Sequence, residues 1–210
     1  MSRRTDPDER ERKWRHILEV AAGEFARLGF DGANINAIST RAGLGKGTIY
    51  LYAASKEQLF LDVLHEIGRL TRTALDDSLT DSVGAPVPQR LRAIAEAFSE
   101  LAAQHPDFVR LQASTLFGVN RRFQTEMAQV LRESVMALTD GFAQEQDRGA
   151  MRRVHPESLA VLLLGVLQTF ALLPEALELG VETPSVRVEL LVDTLWQGLQ
   201  PIEAPVARRG

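Results

Sequence analysis

The sequence has 210 residues, 45% of them hydrophobic and 25% charged, with a formal net charge of −4 and no cysteine. That apolar content supports one or two packed domains, while the missing cysteine excludes disulfide scaffolds and thiolate metal sites. The acidic total excludes a uniformly basic nucleic-acid coat, yet the charge is uneven. Residues 1–60 carry ten Lys/Arg against eight Asp/Glu, and the remainder fourteen against twenty. A slightly basic end on an acidic body is the pattern of a protein that meets DNA at one end. The N-terminus is charged and lacks the apolar core of a signal peptide. The most apolar run, 159–174, falls short of the ~20 residues that span a bilayer and contains Gln168 and Thr169. A soluble cytoplasmic protein without a membrane partner is expected.

Residues 1–5 read as an arm carrying Arg3 and Arg4, which suit phosphate or a minor groove but fit a solvated tail better. Asp6-Pro7 resembles a cap followed by proline at the first helical position. A first helix is expected to run to Leu28, with Trp14, Ile17, Leu18, Ala21, Ala22, Phe25 and Leu28 as one apolar stripe, and Gly29 ending it. Asn34 then caps a short helix that turns Ile35, Ile38 and Ala42 to one face. Gly43 stops that helix and Leu44 is an apolar turn residue. A second short helix is expected from about Lys46 to Ala53, with Ile49 and Ala53 inward and Gly47, Thr48, Tyr50 and Leu51 left outward. Two helices around a glycine turn make a helix-turn-helix, whose second helix enters the DNA major groove. The run GLGKGT superficially suggests a phosphate-cradling loop. Lys46 is followed by Gly47 instead of a hydroxyl residue, Thr40 stands where the leading glycine belongs, and no strand precedes it.

Ser55 and Gln58 form a capping box for a fourth helix, with Leu59, Phe60, Val63, Leu64, Ile67, Leu70 and Ala74 as its stripe to about Leu79. Turn residues fill 80–88. Further helices are expected over about 89–104, 106–118, 122–147, 156–173 and 184–199, with Pro174 closing the eighth and a possible short turn at 175–179. The fold class is all-α, about nine helices: a three-helix helix-turn-helix domain (1–54) joined by a long helix to a helical effector-binding and dimerisation domain (55–210). The eighth helix is apolar nearly all round, so it needs cover on several sides. Packing the eighth and ninth helices against a symmetric copy would supply it.

One set of residues is more specific than any pattern of periodicity. It comprises Gly29-Phe30, the Ile35/Ile38 pair, Ala42-Gly43-Leu44, Gly47-Thr48-Ile49-Tyr50 with Tyr52, and Ser55-Lys56-Glu57 before Leu59. Over about the first sixty residues this resembles the DNA-binding domain of the tetracycline-repressor-like (TetR) family of bacterial transcriptional regulators. The resemblance implies a homodimer on a double-stranded operator, with Lys46, Gly47, Thr48 and Tyr50 in or at the major groove. It also implies Tyr50, Tyr52 and Lys56 on phosphates, and Asn36 and Arg41 toward the flanking backbone or a base edge. Lys46, first on the recognition helix, is the candidate for a guanine contact; Tyr52 alternatively packs the domain. Two positions depart from the pattern. Gly45 replaces a side-chain cap, at a cost of about a few tenths of a kcal/mol, and Ala53 replaces an aromatic, removing apolar area from the joint with the fourth helix.

Family members commonly bind a small effector in the C-terminal body. Phe98, Phe108, Leu111, Phe117, Phe123, Met127 and Gln168 mix bulky apolar groups with a polar handle, as ligand sites do, although each is also a reasonable core residue. No cofactor or metal site is expected. The histidines His16, His65, His105 and His155 are far apart, without metal-ligand spacing, and no nucleophile elbow exists. The expectation is a ligand-responsive repressor and not an enzyme. The competing reading is a helical small-molecule-binding or protein-interaction module without DNA-binding activity.

Overall fold

A computed structural model describes residues 7–176 and 184–201. They form nine helices and no strand: α1 (Pro7–Gly32), α2 (Ile35–Arg41), α3 (Lys46–Tyr50), α4 (Lys56–Asp81), α5 (Val87–Gln104), α6 (Pro106–Phe117), α7 (Gln124–Asp147), α8 (Pro156–Ala176) and α9 (Pro184–Leu199). The expected cap Asp6, the arm with Arg3 and Arg4, and positions 177–179 lie outside the described residues. The helices pack as two units. One comprises the described residues up to Thr71 with Leu101–Leu131; the other comprises Arg72–Glu100 with the described residues from Arg132 onward. The chain therefore enters the first unit twice, through α1 to α4 and again through α6 and the start of α7.

In the first unit α1 lays Ile17, Leu18, Ala21, Ala22 and Phe25 into the core. Leu28 does not join them and is 41% exposed. Gly29 explains this: its left-handed backbone (φ 69°, ψ 174°) breaks the helix, so the stripe ends one turn early. Glu24 lies on the same stripe, seven residues after Ile17, and is buried to 1%. A carboxylate there needs cationic partners. Arg27 donates to it at 3.0 Å and Arg41, at the end of α2, donates to the same oxygen. This ion cluster ties α1 to α2 across 17 residues of chain.

A second cation closes the break at Gly29. Lys56 Nζ donates to the carbonyls of Asp31 (3.2 Å) and Ala33 (3.1 Å) and stands 4.6 Å from the centre of the Phe30 ring. Arg122, just ahead of α7, lies over the same ring at 4.6 Å and pairs with Glu57 at 3.0 Å. Beneath them Phe25, Phe30, Phe60 and Phe123 pack mostly edge to face, with Phe60 4.8 Å from Phe25 and 4.4 Å from Phe123. Such pairs add about 0.5–1.5 kcal/mol each beyond burial.

The capping box at α4 is half formed. The Gln58 backbone N–H donates to the Ser55 hydroxyl at 3.0 Å, but the Gln58 amide turns forward to Asp62. Helix α3 stops at Tyr50, three residues before the expected end, and residues 51–52 continue as a turn that still buries Ala53.

In the second unit Leu75, Leu91, Phe98, Leu138, Phe142, Leu163 and Leu191 belong to one core. Here Pro174 does not stop α8, which continues to Ala176. Proline lacks the N–H that would bond the carbonyl four residues back, at Phe170. Arg187 of α9 donates to that carbonyl at 3.0 Å, so the orphaned acceptor is satisfied from the neighbouring helix.

The buried ion cluster and the exposed leucine make a paired prediction. Glu24→Gln should lower unfolding stability by about 1–3 kcal/mol, because it leaves two guanidiniums around a neutral amide. Leu28→Gln should change it by no more than about 0.5 kcal/mol. Urea unfolding of both variants decides; equal midpoints would strike the cluster from what holds α1 to α2.

Candidate nucleic-acid interface

The helix-turn-helix begins with the Asn34 side chain, which accepts from the Asn36 backbone N–H at 2.8 Å and so caps α2. The hydroxyls of Ser39 and Thr40 both donate to the Asn36 carbonyl at 2.9 Å. Gly43, at φ 67°, makes the turn, and the Leu44 N–H reaches back to the Ser39 carbonyl at 2.9 Å. Gly45 offers no side-chain cap to α3. Its carbonyl accepts from the Thr48 N–H at 2.8 Å, which closes the first turn.

Of the residues of α3 only Ile49 is buried, at 1% exposure. That anchor fixes which way the helix faces. Lys46 and Gly47 are exposed, Thr48 is half-buried, and Tyr50 and Leu51 are exposed at 45% and 75%. The outward face thus offers an ammonium, a bare backbone at Gly47, a phenol and an isobutyl group. These suit a guanine edge, a close approach, a phosphate and a thymine methyl in turn. Leu51 was legible as an outward residue, but its apolar side chain drew no site assignment from the sequence. Its exposure is the stronger signal.

The remaining expected contacts divide. Asn36 is exposed on α2. Arg41 is half exposed yet shares the Glu24 carboxylate, so only part of its guanidinium faces outward. Lys56 is engaged with two carbonyls and a ring, as described. Tyr52 stacks on Trp14, ring centres 5.4 Å apart and planes 9° from parallel, with the Arg10 guanidinium 5.6 Å from its centre. This stack supplies aromatic area beside the buried Ala53. Sequence reasoning missed Glu24; its place on the apolar stripe was the signal available.

The seven effector candidates are not brought together. Phe108, Leu111, Phe123 and Met127 belong to the core of the first unit, where Phe123 is part of the phenylalanine cluster. Phe98 belongs to the core of the second. Phe117 is 75% exposed at the end of α6. Gln168 is buried on α8, and its Nε2 has no hydrogen-bond partner. Among the described residues no group of three His, Asp or Glu could hold a metal ion, and no helix is long and apolar enough to cross a membrane.

Residues 17–63 match the family described as "Bacterial regulatory proteins, tetR family". These residues run from the buried start of the α1 stripe to Val63 of α4, and so cover the whole helix-turn-helix. The transcriptional repressor NicS of Pseudomonas putida is 30% identical over 139 residues, which is 65% of each chain. The fatty acid degradation regulator FadR of Bacillus halodurans superposes with a TM-score of 0.75 at 18% identity, over 93% of this chain and 98% of that one. FadR of Bacillus subtilis, solved in complex with stearoyl-CoA, gives 0.73 at 16%, over 88% and 98%. The structural likeness carries the all-α fold. Together with the geometry of α2 and α3, the family match identifies residues 17–63 as a helix-turn-helix region of the tetR type.

Proposed function

We propose that the protein is a homodimeric transcriptional repressor, held on a pseudo-palindromic operator by residues 1–54 and released when a small molecule binds within 55–210. The observation that carries the DNA reading is the polarity of α3. One inward isoleucine leaves Lys46, Gly47 and Tyr50 on the surface of a five-residue helix, with Leu51 exposed on the turn that follows. A helix so short has no packing reason to present a phenol and a leucine outward; a duplex provides one. Asn36 and the outward part of Arg41 are assigned to the flanking backbone or a base edge, and Tyr52 and Lys56 to phosphates. Two such faces about one helical turn apart, ~34–36 Å or a multiple, would read two half-sites.

Dimerisation through α8 and α9 is supported by apolar side chains left in solvent. Val161 and Leu162 of α8 are 57% and 53% exposed, and Val186 and Leu190 of α9 are 41% and 56% exposed. Gly165 and Thr169 continue the α8 face, with the Thr169 hydroxyl turned back to the Gly165 carbonyl at 2.9 Å, so little polarity remains to be desolvated. A second copy fits this face because a self-complementary patch is what a two-fold interface requires. Release by an effector is supported by the named ligand of the Bacillus subtilis regulator, stearoyl-CoA. Phe98 and the unpartnered Gln168 are the two expected effector residues that share the second unit. Helix α4 contributes residues to both units and is the natural carrier of such a signal.

Operator binding measured against salt tests the first half. Lys46→Ala should cost about 1–3 kcal/mol, relax the choice of base at its position and, because a cation is removed, flatten the slope of log K on log salt. Tyr50→Ala should weaken binding to all sequences about equally. If neither variant weakens binding to genomic fragments selected by the wild-type protein, the interface is misassigned. Leu162→Glu combined with Leu190→Glu should convert the dimer to monomer in sedimentation; a double variant that sediments as the dimer would place the interface elsewhere.

A further inference from the structure

Residues 101–131 are the part of the chain beyond α4 that packs with the helix-turn-helix, and their charge runs against the rest of that region. They carry Arg110, Arg121 and Arg122 against Asp107 and Glu126. Residues 72–100 and 132–210 carry ten Arg against sixteen Asp/Glu. Arg121 and Arg122 lie on the loop between α6 and α7, which is fastened to the helix-turn-helix domain at two points. The Asn120 amide donates to the Asp31 carboxylate at 3.3 Å, and Arg122 pairs with Glu57 at 3.0 Å while covering the Phe30 ring. Asp31 lies three residues before the Asn34 cap of α2, and its carbonyl is held by Lys56. Glu57 follows Lys56 in the first turn of α4. The loop therefore borders the edge on which Asn36 and Lys56 are expected to meet the backbone of a duplex.

The loop is also held in one shape. Gly118 leaves α6 so sharply that a Cβ there would stand 2.1 Å from the Ser114 carbonyl oxygen. The Asn120 side-chain oxygen accepts from the Arg122 N–H at 3.0 Å, and the Gln124 amide donates to the Leu116 carbonyl at 2.7 Å. On this frame Arg121, one residue or ~3.8 Å of chain from Asn120, is exposed. Among the described residues no carboxylate or carbonyl accepts from its guanidinium. Its neighbours Arg122 and Lys56 already bring two cations to one ring, and the Asp31 and Glu57 carboxylates are both engaged. A third cation beside them is unfavourable in the free protein and favourable against a polyanion.

We infer that the DNA face of this protein extends past the helix-turn-helix onto the α6–α7 loop, where Arg121 takes a backbone phosphate on the flank of each half-site. Asn120 and Arg122 are positioning residues, which hold the loop against Asp31 and Glu57. The contact is independent of sequence, because phosphate carries no base information. Guanidinium on phosphate is a charge-assisted pairing, and a fixed loop gives up little freedom on docking. The inference deepens the proposed operator binding and rests on it.

The test uses the full-length protein and two duplexes cut from a genomic fragment that the wild type selects. One ends at the outer edges of the half-sites; the other continues for about ten base pairs, one helical turn, on each side. Arg121→Gln alters an exposed side chain, and its thermal midpoint should match the wild type. On the long duplex it should bind about three- to tenfold more weakly per subunit at low salt, and flatten the slope of log K on log salt by about one per subunit. Arg121→Glu should lose more. On the short duplex Arg121→Gln and the wild type should bind alike, whereas Lys46→Ala should weaken binding to both. A wild-type slope for Arg121→Gln on the long duplex overturns the inference, and leaves the loop and the exposed Phe117 and Val119 beside it to a partner other than DNA. An equal loss on the two duplexes overturns the flank assignment, because the contact would then lie inside the half-site. A wild-type protein that selects no fragment at all sinks the DNA reading itself, and the inference with it.

Discussion

A helix of five residues closes too few hydrogen bonds to persist in water, so α3 exists only while something outside it holds it in place. Ile49 and Ala53, each 1% exposed, are that hold. Every outward position of the recognition helix follows from the burial of Ile49. Turn the helix by one residue and Lys46 or Tyr50 would sink into hydrocarbon while Ile49 met solvent, at about 1.5–3 kcal/mol for the isoleucine alone. The short helix is therefore rigid in orientation although weak in itself. Its rigidity is borrowed from α1 and the start of α4, which supply Ile17, Phe25, Leu59 and Phe60 to the same core.

The basic residues of this domain divide their labour in a way composition conceals. Lys56 ties down carbonyls exposed by the break at Gly29, and Arg41 neutralises a carboxylate that α1 buries. Both were assigned to DNA by resemblance, and both do structural work first. The two roles are compatible, because a guanidinium has more N–H groups than Glu24 can accept and an ammonium has three. A cation fixed by one partner also presents its remaining donors at a defined angle. It gives up less rotamer freedom on meeting phosphate than a free side chain would. Lys46, exposed and at the head of α3, carries no such constraint and is suited to the choice of base.

What the sequence discloses depends on how local the physics is. Caps, glycine turns and helical stripes are decided within a few residues, so Asn34, Gly43, Ile38 and Ile49 stand where periodicity puts them. Leu28 fails because a stripe is an average over a straight helix, and α1 stops being one at Gly29. Pro174 fails because proline breaks a helix only when the orphaned carbonyl finds no other donor, and Arg187 supplies one from 17 residues away. Glu24 and its i,i+3 partner Arg27 were legible as positions, but Arg41, 17 residues on, becomes its neighbour only on folding. The effector candidates were the least legible. Phe108, Phe123 and Met127 have the composition of a pocket wall and the burial of a core, and nothing short of packing separates the two.

The division into packing units bears on how a signal would reach α3. Residues 101–131 share a core with the helix-turn-helix, and they do so through large side chains: Phe108, Leu111, Phe123 and Met127 lie in one cluster with Phe25 and Phe60. Close-packed interiors transmit displacement instead of absorbing it. Both α4 and α7 contribute residues to the two units. Phe123, immediately before α7, meets Phe30 and Phe60, and Arg122 and Lys56 both lie over the Phe30 ring. Phe30 follows the break in α1, and its carbonyl neighbours at Asp31 and Ala33 are the ones Lys56 holds. A small shift of α7 would therefore press on the very joint that sets the angle between α1 and α2, and through Ile38 and Ile49 on the face that α3 presents.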